Sequence, residues 1–252
     1  MEKTLLISSE LKNSRKHSSD SLEELARLAR TAGAQVFSSM TVRLERFNAS
    51  TFIGSGKVRE LADMVRDSGL DLLIFDEDLT PAQQMNLQAA VSCKVLDRTD
   101  LILDIFASRA RTREGKLQVE LAQLTRALTR LAGRGRHMSQ QTGGIGTRGP
   151  GERQLEYDRR RIRDRINLLR KEIVSLKRDR ETRYKRRFSV PMPQVAIVGY
   201  TNAGKSTLLN QLTGGNSGVY CDDMLFATLD PTTRRVKLPS GGFALFTDTV
   251  GF

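Results

Sequence analysis

An octapeptide with the pattern G-x-x-x-x-G-K-S, from Gly199 to Ser206, constrains the fold of this chain more than any other feature. The apolar run Gln194–Val198 precedes it and predicts a buried strand, and Thr207–Leu212 follows it with a pattern typical of a helix. In that context glycines let backbone N–H groups approach phosphates, and the helix N-terminus adds its positive dipole. The sequence therefore predicts a phosphate-binding loop between a strand and a helix of an α/β domain.

Each residue of this loop is expected to contact a bound nucleotide. The Lys205 ammonium would lie at the β- and γ-phosphates, and the Ser206 hydroxyl would ligate Mg²⁺. The predicted contact residues are Gly199, Tyr200, Thr201, Asn202, Ala203, Gly204, Lys205 and Ser206.

Two downstream segments match the parts that such a loop works with. The first is Phe226-Ala227-Thr228-Leu229-Asp230, whose residues we expect to contact the bound nucleotide. Within it, Thr228 is expected to ligate Mg²⁺ and contact the γ-phosphate. The second is Asp248-Thr249-Val250-Gly251, with the pattern D-x-x-G. There we expect the aspartate to hold a water of the metal and the glycine N–H to sense the γ-phosphate. The strands Arg234–Leu238 and Phe243–Thr247 are predicted to form a hairpin between the two segments.

Residues 1–108 alternate short apolar runs with helical patterns, which predicts a small α/β domain with a mostly parallel sheet. The continuous run Leu70–Phe75 is typical of a strand buried on both faces. The segment Gly54–Lys57 contains G-S-G-K but lacks the spacing of a phosphate loop, so we interpret it as the turn that starts a helix. The other predicted strands are Thr4–Ile7, Gln35–Phe37 and Lys94–Leu96, and the predicted helices are Ser18–Thr31, Gly54–Asp67 and one that opens at Thr80-Pro81.

Residues 109–190 change to a helical pattern of heptad type. Leucines recur at steps of three and four from Leu117 to Leu131, and a second such stripe runs from Leu155 to Leu176. Two amphipathic helices in succession predict an antiparallel hairpin. The glycine-rich segment 132–151 that joins them carries arginines and no acidic residue. It is either an RNA-contacting loop, which we favour, or a plain linker.

The net charge of +12 is concentrated in this middle region. Between Arg109 and Arg187, 24 lysines and arginines stand against nine aspartates and glutamates, whereas the rest of the chain holds 17 basic and 20 acidic residues. A solvated helical face would explain scattered arginines. Such a concentration is better explained by a polyanionic partner, most plausibly nucleic acid.

Several functional classes receive no support from the composition. No apolar run approaches the roughly 20 residues needed to span a bilayer, and the N-terminus lacks the pattern of a secretory signal. Two distant cysteines, Cys93 and Cys221, and two histidines suggest neither a disulfide framework nor a zinc site. We therefore expect a cytoplasmic protein without a membrane segment.

These motifs together resemble the HflX family of ribosome-associated GTPases, in the translation-factor-like class. The resemblance is carried by GYTNAGKSTLLN, LFATLDPTTRR, DTVGF and the middle segment GGIGTRGPGERQLEYDRRRIRDRI, and it extends to TFIGSGKVREL near the N-terminus. It implies a Mg²⁺-dependent GTPase that binds GTP and acts on the large ribosomal subunit in splitting or rescuing stalled ribosomes. It also implies that the basic hairpin and the glycine-rich loop face ribosomal RNA. Thr228 rather than Thr232 or Thr233 would be the switch threonine. We expect a monomer.

The predicted fold class is α/β: a small N-terminal parallel-sheet α/β domain (1–108), an antiparallel helical hairpin (109–190) and the first part of a P-loop GTPase domain (191–252). Pro191 and Pro193 predict the last boundary, because proline ends the basic helix.

The chain departs from a complete GTPase in two respects. Phe252 follows D-x-x-G where a Ras-like enzyme has a water-orienting glutamine, so intrinsic hydrolysis is expected to be slow without a partner. The N-K-x-D segment that selects guanine does not occur, and the first strand of the domain is expected to have an unpaired edge. We therefore expect weak nucleotide binding and marginal folding beyond Pro193. The alternative function is an rRNA-binding fragment with little or no nucleotide turnover.

Overall fold

The structure, a computed structural model, describes residues 1–12, 18–138, 150–187, 192–214, 225–226, 228–239 and 241–251, with backbone alone at 18–19, 132–138, 150–153 and 183–187. The chain forms two compact units. The first, here called the sheet unit, comprises Met1–Asp104 and Gln123–Arg165. The second, the loop unit, comprises Ile105–Ala122 and Ile166–Phe252 and contains the phosphate-loop motif.

A four-stranded parallel sheet organises the sheet unit, as the alternation of apolar runs predicts. Its strands lie in the order β2-β1-β3-β4. All four residues of β3 are buried, which fits a central strand covered on both faces. The strands are β1 (Lys3–Leu11), β2 (Gln35–Leu44), β3 (Leu72–Phe75) and β4 (Lys94–Asp97).

The edge strand β2 is much longer than the predicted Gln35–Phe37. Polar residues such as Ser38 and Thr41 interrupt the apolar run, which is why the sequence pattern ends early. They remain in register with β1 as far as the pair Leu11–Leu44. A strand at a sheet edge exposes much of its surface, so polar side chains do not prevent pairing there.

Three helices connect these strands, and their ends follow local capping rules. The α3 helix begins after Thr80, whose hydroxyl accepts a hydrogen bond from the N–H of Gln83 in a capping box, with Pro81 in the first turn. The α2 helix begins after Gly54, as the interpretation of Gly54–Lys57 as a helix-start turn requires. The helices are α1 (Ser18–Thr31), α2 (Ser55–Ser68) and α3 (Pro81–Val91).

The described residues between 98 and 187 form three helices. They are α4 (Arg98–Arg109), which the sequence analysis did not predict, α5 (Arg113–Met138) and α6 (Pro150–Arg187). Arg159 donates to the carbonyl oxygen of Leu131 at 2.7 Å, and Arg113 lies 3.3 Å from Glu172. Residues early in α5 therefore meet residues late in α6, which is the predicted antiparallel arrangement. Residues 139–149 of the glycine-rich segment lie outside the described residues.

A buried ionic cluster joins α5 to the carboxyl end of β4 within the sheet unit. Asp97 is fully buried and lies 2.5 Å from a guanidinium nitrogen of Arg126, while Arg126 Nε lies 2.7 Å from Asp100. Arg130, one helical turn further along α5, also bonds Asp100. Two arginines at positions i and i+4 thus neutralise two carboxylates at the start of α4.

The loop unit contains a three-stranded sheet in the order β5-β7-β6. β5 pairs with β7 in parallel, and β6 and β7 form the predicted antiparallel hairpin. The prediction that the first strand is buried is wrong: Val195 is 39% exposed. β5 lies at the edge of the sheet, and its apolar side chains are partly exposed. The elements are β5 (Gln194–Ile197), α7 (Lys205–Leu212), β6 (Thr232–Lys237) and β7 (Phe243–Asp248).

Of the helices that the structure describes, none is both long enough and apolar enough to cross a membrane. The observed architecture confirms the predicted α/β fold class. The division at residues 108 and 190 stays a prediction.

The ionic cluster should make a large contribution to the stability of the sheet unit. Arg126→Ala would leave the buried Asp97 without its counter-charge, and we expect a loss of about 3 kcal/mol in the free energy of unfolding. The measurement is urea denaturation followed by circular dichroism. Arg66→Ala is the control, because Arg66 forms an ion pair with Asp63 on the surface and should contribute less than about 1 kcal/mol. Equal losses in the two variants would contradict this account.

Candidate nucleotide-binding site

The octapeptide forms a turn that leads from β5 into α7. Two of its residues have left-handed backbone: Asn202 at φ 58° and Gly204 at φ 80°. Asparagine tolerates this region better than most residues, and glycine adopts it without steric cost. A Cβ at Gly204 would meet no atom within 4 Å, so the backbone conformation, rather than space, requires glycine there. The turn ends where Leu208 N–H donates to the carbonyl oxygen of Gly204 at 2.8 Å and α7 begins.

Lys205 folds back over this turn. Its ammonium donates to the carbonyl oxygens of Gly199 at 3.0 Å and Tyr200 at 2.6 Å. The first residue of α7 therefore holds its positive charge at the mouth of the loop, where the backbone and the helix dipole also favour an anion.

Three oxygen-bearing side chains from separate parts of the chain meet beside this lysine. Ser206 Oγ donates to Asp248 Oδ2 at 2.6 Å, and Thr228 Oγ1 donates to the same oxygen at 3.1 Å. The two hydroxyl oxygens are themselves 3.1 Å apart. The structure thus brings Thr228 to Ser206, while Thr233 pairs with Thr247 in the β6–β7 hairpin.

Asp248 is completely buried, and within the described part of the chain its Oδ1 atom has no hydrogen-bond partner. A buried carboxylate oxygen without a donor is costly, since the group has lost its hydration. Carboxylate and hydroxyl oxygens are the donors that Mg²⁺ accepts, directly or through water. The residues present therefore fit a magnesium ion with Ser206 and Thr228 as ligands.

The D-x-x-G segment lies directly against the phosphate loop. A Cβ built on Gly251 would be 2.7 Å from the backbone N and Cα of Thr201 and 2.9 Å from Lys205 Nζ, so only glycine fits without displacement. Thr249 donates to the carbonyl oxygen of Ile197 at 2.8 Å, which ties this segment to the end of β5.

The segment around Thr228 makes contacts that the sequence reading missed. Asp230 was expected to contact nucleotide, yet its carboxylate accepts hydrogen bonds from the N–H groups of Arg111 at 3.1 Å and Thr112 at 2.8 Å and from the Thr112 hydroxyl. Burial works to raise the pKa of Asp230, but these hydrogen bonds outweigh it and hold the pKa below its ordinary value. Phe226 packs edge-on against Phe106 at a centroid distance of 5.1 Å.

Threonine directly before a helical pattern, as at Thr112, is a signal in the sequence for the start of a helix. The sequence does not indicate that Asp230, 118 residues further on, bonds this threonine. Most of the other predicted site residues are described. The phosphate loop includes Tyr200 and Ala203, the segment around Thr228 includes Leu229, and the D-x-x-G segment includes Val250. Two residues, Ala227 and Phe252, lie outside the described residues.

Three family models match successive parts of the chain. A model described as the N-terminal region of GTP-binding GTPases matches residues 19–107, and one for their middle region matches 109–187. A model described as 50S ribosome-binding GTPase matches residues 194–252.

Curated relatives match over nearly the whole chain. It is 52% identical over 232 residues to GTPase HflX of Lacrimispora saccharolytica, covering 92% of this chain and 54% of that protein. It is 48% identical over 252 residues to GTPase HflX of Alkalihalophilus pseudofirmus, covering 100% and 59%. With GTPase HflX of Escherichia coli the identity is 47% over 233 residues, covering 92% and 54%. The chain thus spans a little over half the length of these relatives.

Solved structures share the fold. The crystal structure of the SsGBP and GDP complex has a TM-score of 0.56 and 26% identity, covering all of this chain and 63% of that one. A GTP-binding protein from the hyperthermophilic archaeon Sulfolobus solfataricus, in complex with GDP, has a TM-score of 0.52 and 25% identity, covering 100% and 61%.

The close approach of Gly251 to the loop generates a prediction. Gly251→Ala should push the D-x-x-G segment away from Thr201 and Lys205 and weaken nucleoside triphosphate binding about tenfold or more, equivalent to about 1.4 kcal/mol. Gly242→Ala is the matched control, because a Cβ there meets nothing within 4 Å. Titration with a fluorescent triphosphate analogue measures both. Unchanged affinity in Gly251→Ala would contradict the observed packing.

Proposed function

The chain belongs to the HflX family of GTPases, and we propose that it is the part of such a protein that binds GTP with Mg²⁺ and supports its hydrolysis. We further propose that it associates with the large ribosomal subunit, in the splitting or rescue of ribosomes. The observation that carries the nucleotide proposal is the meeting of Ser206, Thr228 and Asp248 beside Lys205.

Each of these side chains has a distinct role in the proposed mechanism. Lys205 neutralises charge on the β- and γ-phosphates, and the N-terminus of α7 adds its dipole. Ser206 and Thr228 would hold the metal when it is bound, and Asp248 would accept a hydrogen bond from a water of that metal. Mg²⁺, when bound, would neutralise charge that develops on the phosphates during transfer. The Gly251 N–H would donate a hydrogen bond to the γ-phosphate, since its segment lies against Thr201 of the phosphate loop.

The choice of guanine over adenine rests on relatives rather than on a base-recognition motif in this chain. The relatives are named GTPases, and the structural neighbours of similar fold hold GDP. Phe252 has no group that could orient water by hydrogen bonding. We therefore propose that turnover is slow until a partner, the ribosome, supplies order or a catalytic group.

Two observations support a ribosomal partner. The family model that matches residues 194–252 is described as ribosome-binding. In addition, α6 carries exposed basic side chains along its length: Arg160, Arg161, Arg170, Lys171, Lys177 and Arg178. Cations spaced along a helix suit the phosphates of RNA and supply a salt-dependent, largely shape-directed interaction.

The nucleotide proposal is tested on the 252-residue chain with a fluorescent GTP analogue in Mg²⁺. Lys205→Ala should weaken binding about 100-fold, equivalent to about 2.7 kcal/mol, because it removes the charge facing the phosphates. Lys237→Ala is the control, since Lys237 is an exposed lysine on β6 of the same unit. Competition by GTP but not by ATP would show that the chain selects guanine without the N-K-x-D segment.

Absence of nucleotide binding in the unmodified chain, with association to large subunits intact, would instead favour the alternative of an rRNA-binding fragment with little or no turnover. Formation of GDP, followed by chromatography with and without large ribosomal subunits, measures the turnover.

The RNA-binding role of α6 predicts a change in salt dependence. Replacing Lys171, Lys177 and Arg178 by glutamine should weaken association with large ribosomal subunits and reduce the slope of log K against log[KCl] by roughly 0.7–0.9 for each phosphate that is no longer neutralised. The matched control replaces Lys12, Arg27 and Arg66, which are exposed cations of the sheet unit. Equal weakening in both triple variants would mean that net charge, rather than the α6 surface, drives association.

A further inference from the structure

Asp230 lies two residues after Thr228 and is bound by the start of α5. Its carboxylate receives the backbone N–H groups of Arg111 and Thr112 and the hydroxyl of Thr112. The Thr112 hydroxyl also accepts the N–H of Gly115 at 3.0 Å, so the threonine caps α5 and bonds Asp230 at once. A carboxylate at the N-terminus of a 26-residue helix is further stabilised by the helix dipole.

The contact leaves no room for a larger residue at position 115. A Cβ built on Gly115 would lie 2.6 Å from Asp230 Oδ1. The carboxylate therefore sits against the backbone of the first turn of α5, rather than at the tip of a loosely held side chain.

On the other side of Thr228, Phe226 is held by α4. Its ring meets Phe106 edge-on at a centroid distance of 5.1 Å, and its backbone adopts a left-handed conformation at φ 54°, which is strained for a non-glycine residue. Such a conformation persists only where surrounding contacts stabilise it. The residues before and after Thr228 are thus both anchored to the segment from Phe106 to Gly115.

We propose that Asp230 is a positioning residue, which holds the Thr228 hydroxyl at Ser206 and Asp248 by bonding the N-terminus of α5. This inference rests on the proposed nucleotide-binding function. Two residues span at most about 7 Å, so the bonds of Asp230 to Thr112 restrict how far Thr228 can move from Asp248. Pre-ordering Thr228 in this way lowers the conformational entropy lost when it engages a metal and a γ-phosphate.

A positioning role has a signature that a purely structural role lacks. Because Thr228 is expected to contact the γ-phosphate and its metal, Asp230→Ala should reduce affinity for a non-hydrolysable GTP analogue in Mg²⁺ about tenfold, as expected for loss of a charge-assisted hydrogen bond. Affinity for GDP should change less than about twofold, because GDP has no γ-phosphate for Thr228 to contact. Asp179→Ala, at an exposed aspartate of α6, is the matched control.

The partner is tested by a double-mutant cycle. Thr112→Val removes the hydroxyl that bonds Asp230, and the double variant Thr112→Val/Asp230→Ala should lose little more affinity than Asp230→Ala alone, since both remove one interaction. Additive losses, or equal losses for the GTP analogue and GDP, would overturn the proposal.

Hydrogen exchange of the nucleotide-free chain separates this inference from the proposed function. Asp230→Ala should speed exchange at the amides of Arg111 and Thr112, whereas Lys205→Ala should leave their exchange unchanged while weakening nucleotide binding about 100-fold. Unchanged exchange at these amides in Asp230→Ala would overturn the proposed positioning role of Asp230, whether or not nucleotide binds. Faster exchange in a chain that binds no nucleotide would support the contact, while the proposed GTP function would fail on its own test.

Discussion

The buried carboxylate of Asp248 is the constraint on which the loop unit depends. It ends β7, and its Oδ2 atom accepts hydrogen bonds from both Ser206 on α7 and Thr228, which lies between α7 and β6. Three segments that are distant in sequence therefore share one acceptor. The other oxygen has no donor among the described residues, so a water or a cation that bonded it would stabilise the arrangement. The same carboxylate that organises the fold locally is thus a group that a ligand would stabilise.

The α5 helix contributes charged contacts at two places along its length. Its first residues bind Asp230, and Arg126 and Arg130 further on neutralise Asp97 and Asp100. These contacts differ in kind. The carboxylates at Arg126 are almost completely buried and need a counter-charge, whereas Asp230 is half-buried and uses backbone N–H groups and a helix dipole. The latter contact forms at lower desolvation cost, which suits the role that we propose for the segment around Thr228 in binding nucleotide.

Sequence patterns predicted those parts of the fold that depend on local or periodic signals. The parallel sheet followed from buried runs such as Leu70–Phe75, and the loop followed from glycine spacing. The burial of β5 was predicted wrongly. An apolar composition indicates that a strand can be buried, but it does not show which neighbouring elements pack against it. The Asp230–Thr112 contact and the cluster around Asp97 were missed for a related reason. Each pairs residues that are brought together only by tertiary structure, and single charged residues carry no periodic signal.

A glycine-lysine pair occurs at the start of α2 and again at the start of α7, and the two differ in spacing and in backbone conformation. At α2, Gly54 is extended at φ −67°, and Lys57 lies in the first turn, where it pairs with Glu60 at 2.7 Å. At α7, Gly204 is left-handed, and Lys205 reaches back to the carbonyl oxygens of Gly199 and Tyr200. Four residues between the glycines provide enough chain to surround a phosphate, whereas a single residue only opens a helix. The glycine directly before the lysine is left-handed at α7, whereas at α2 it is Gly56, which lies within the helix.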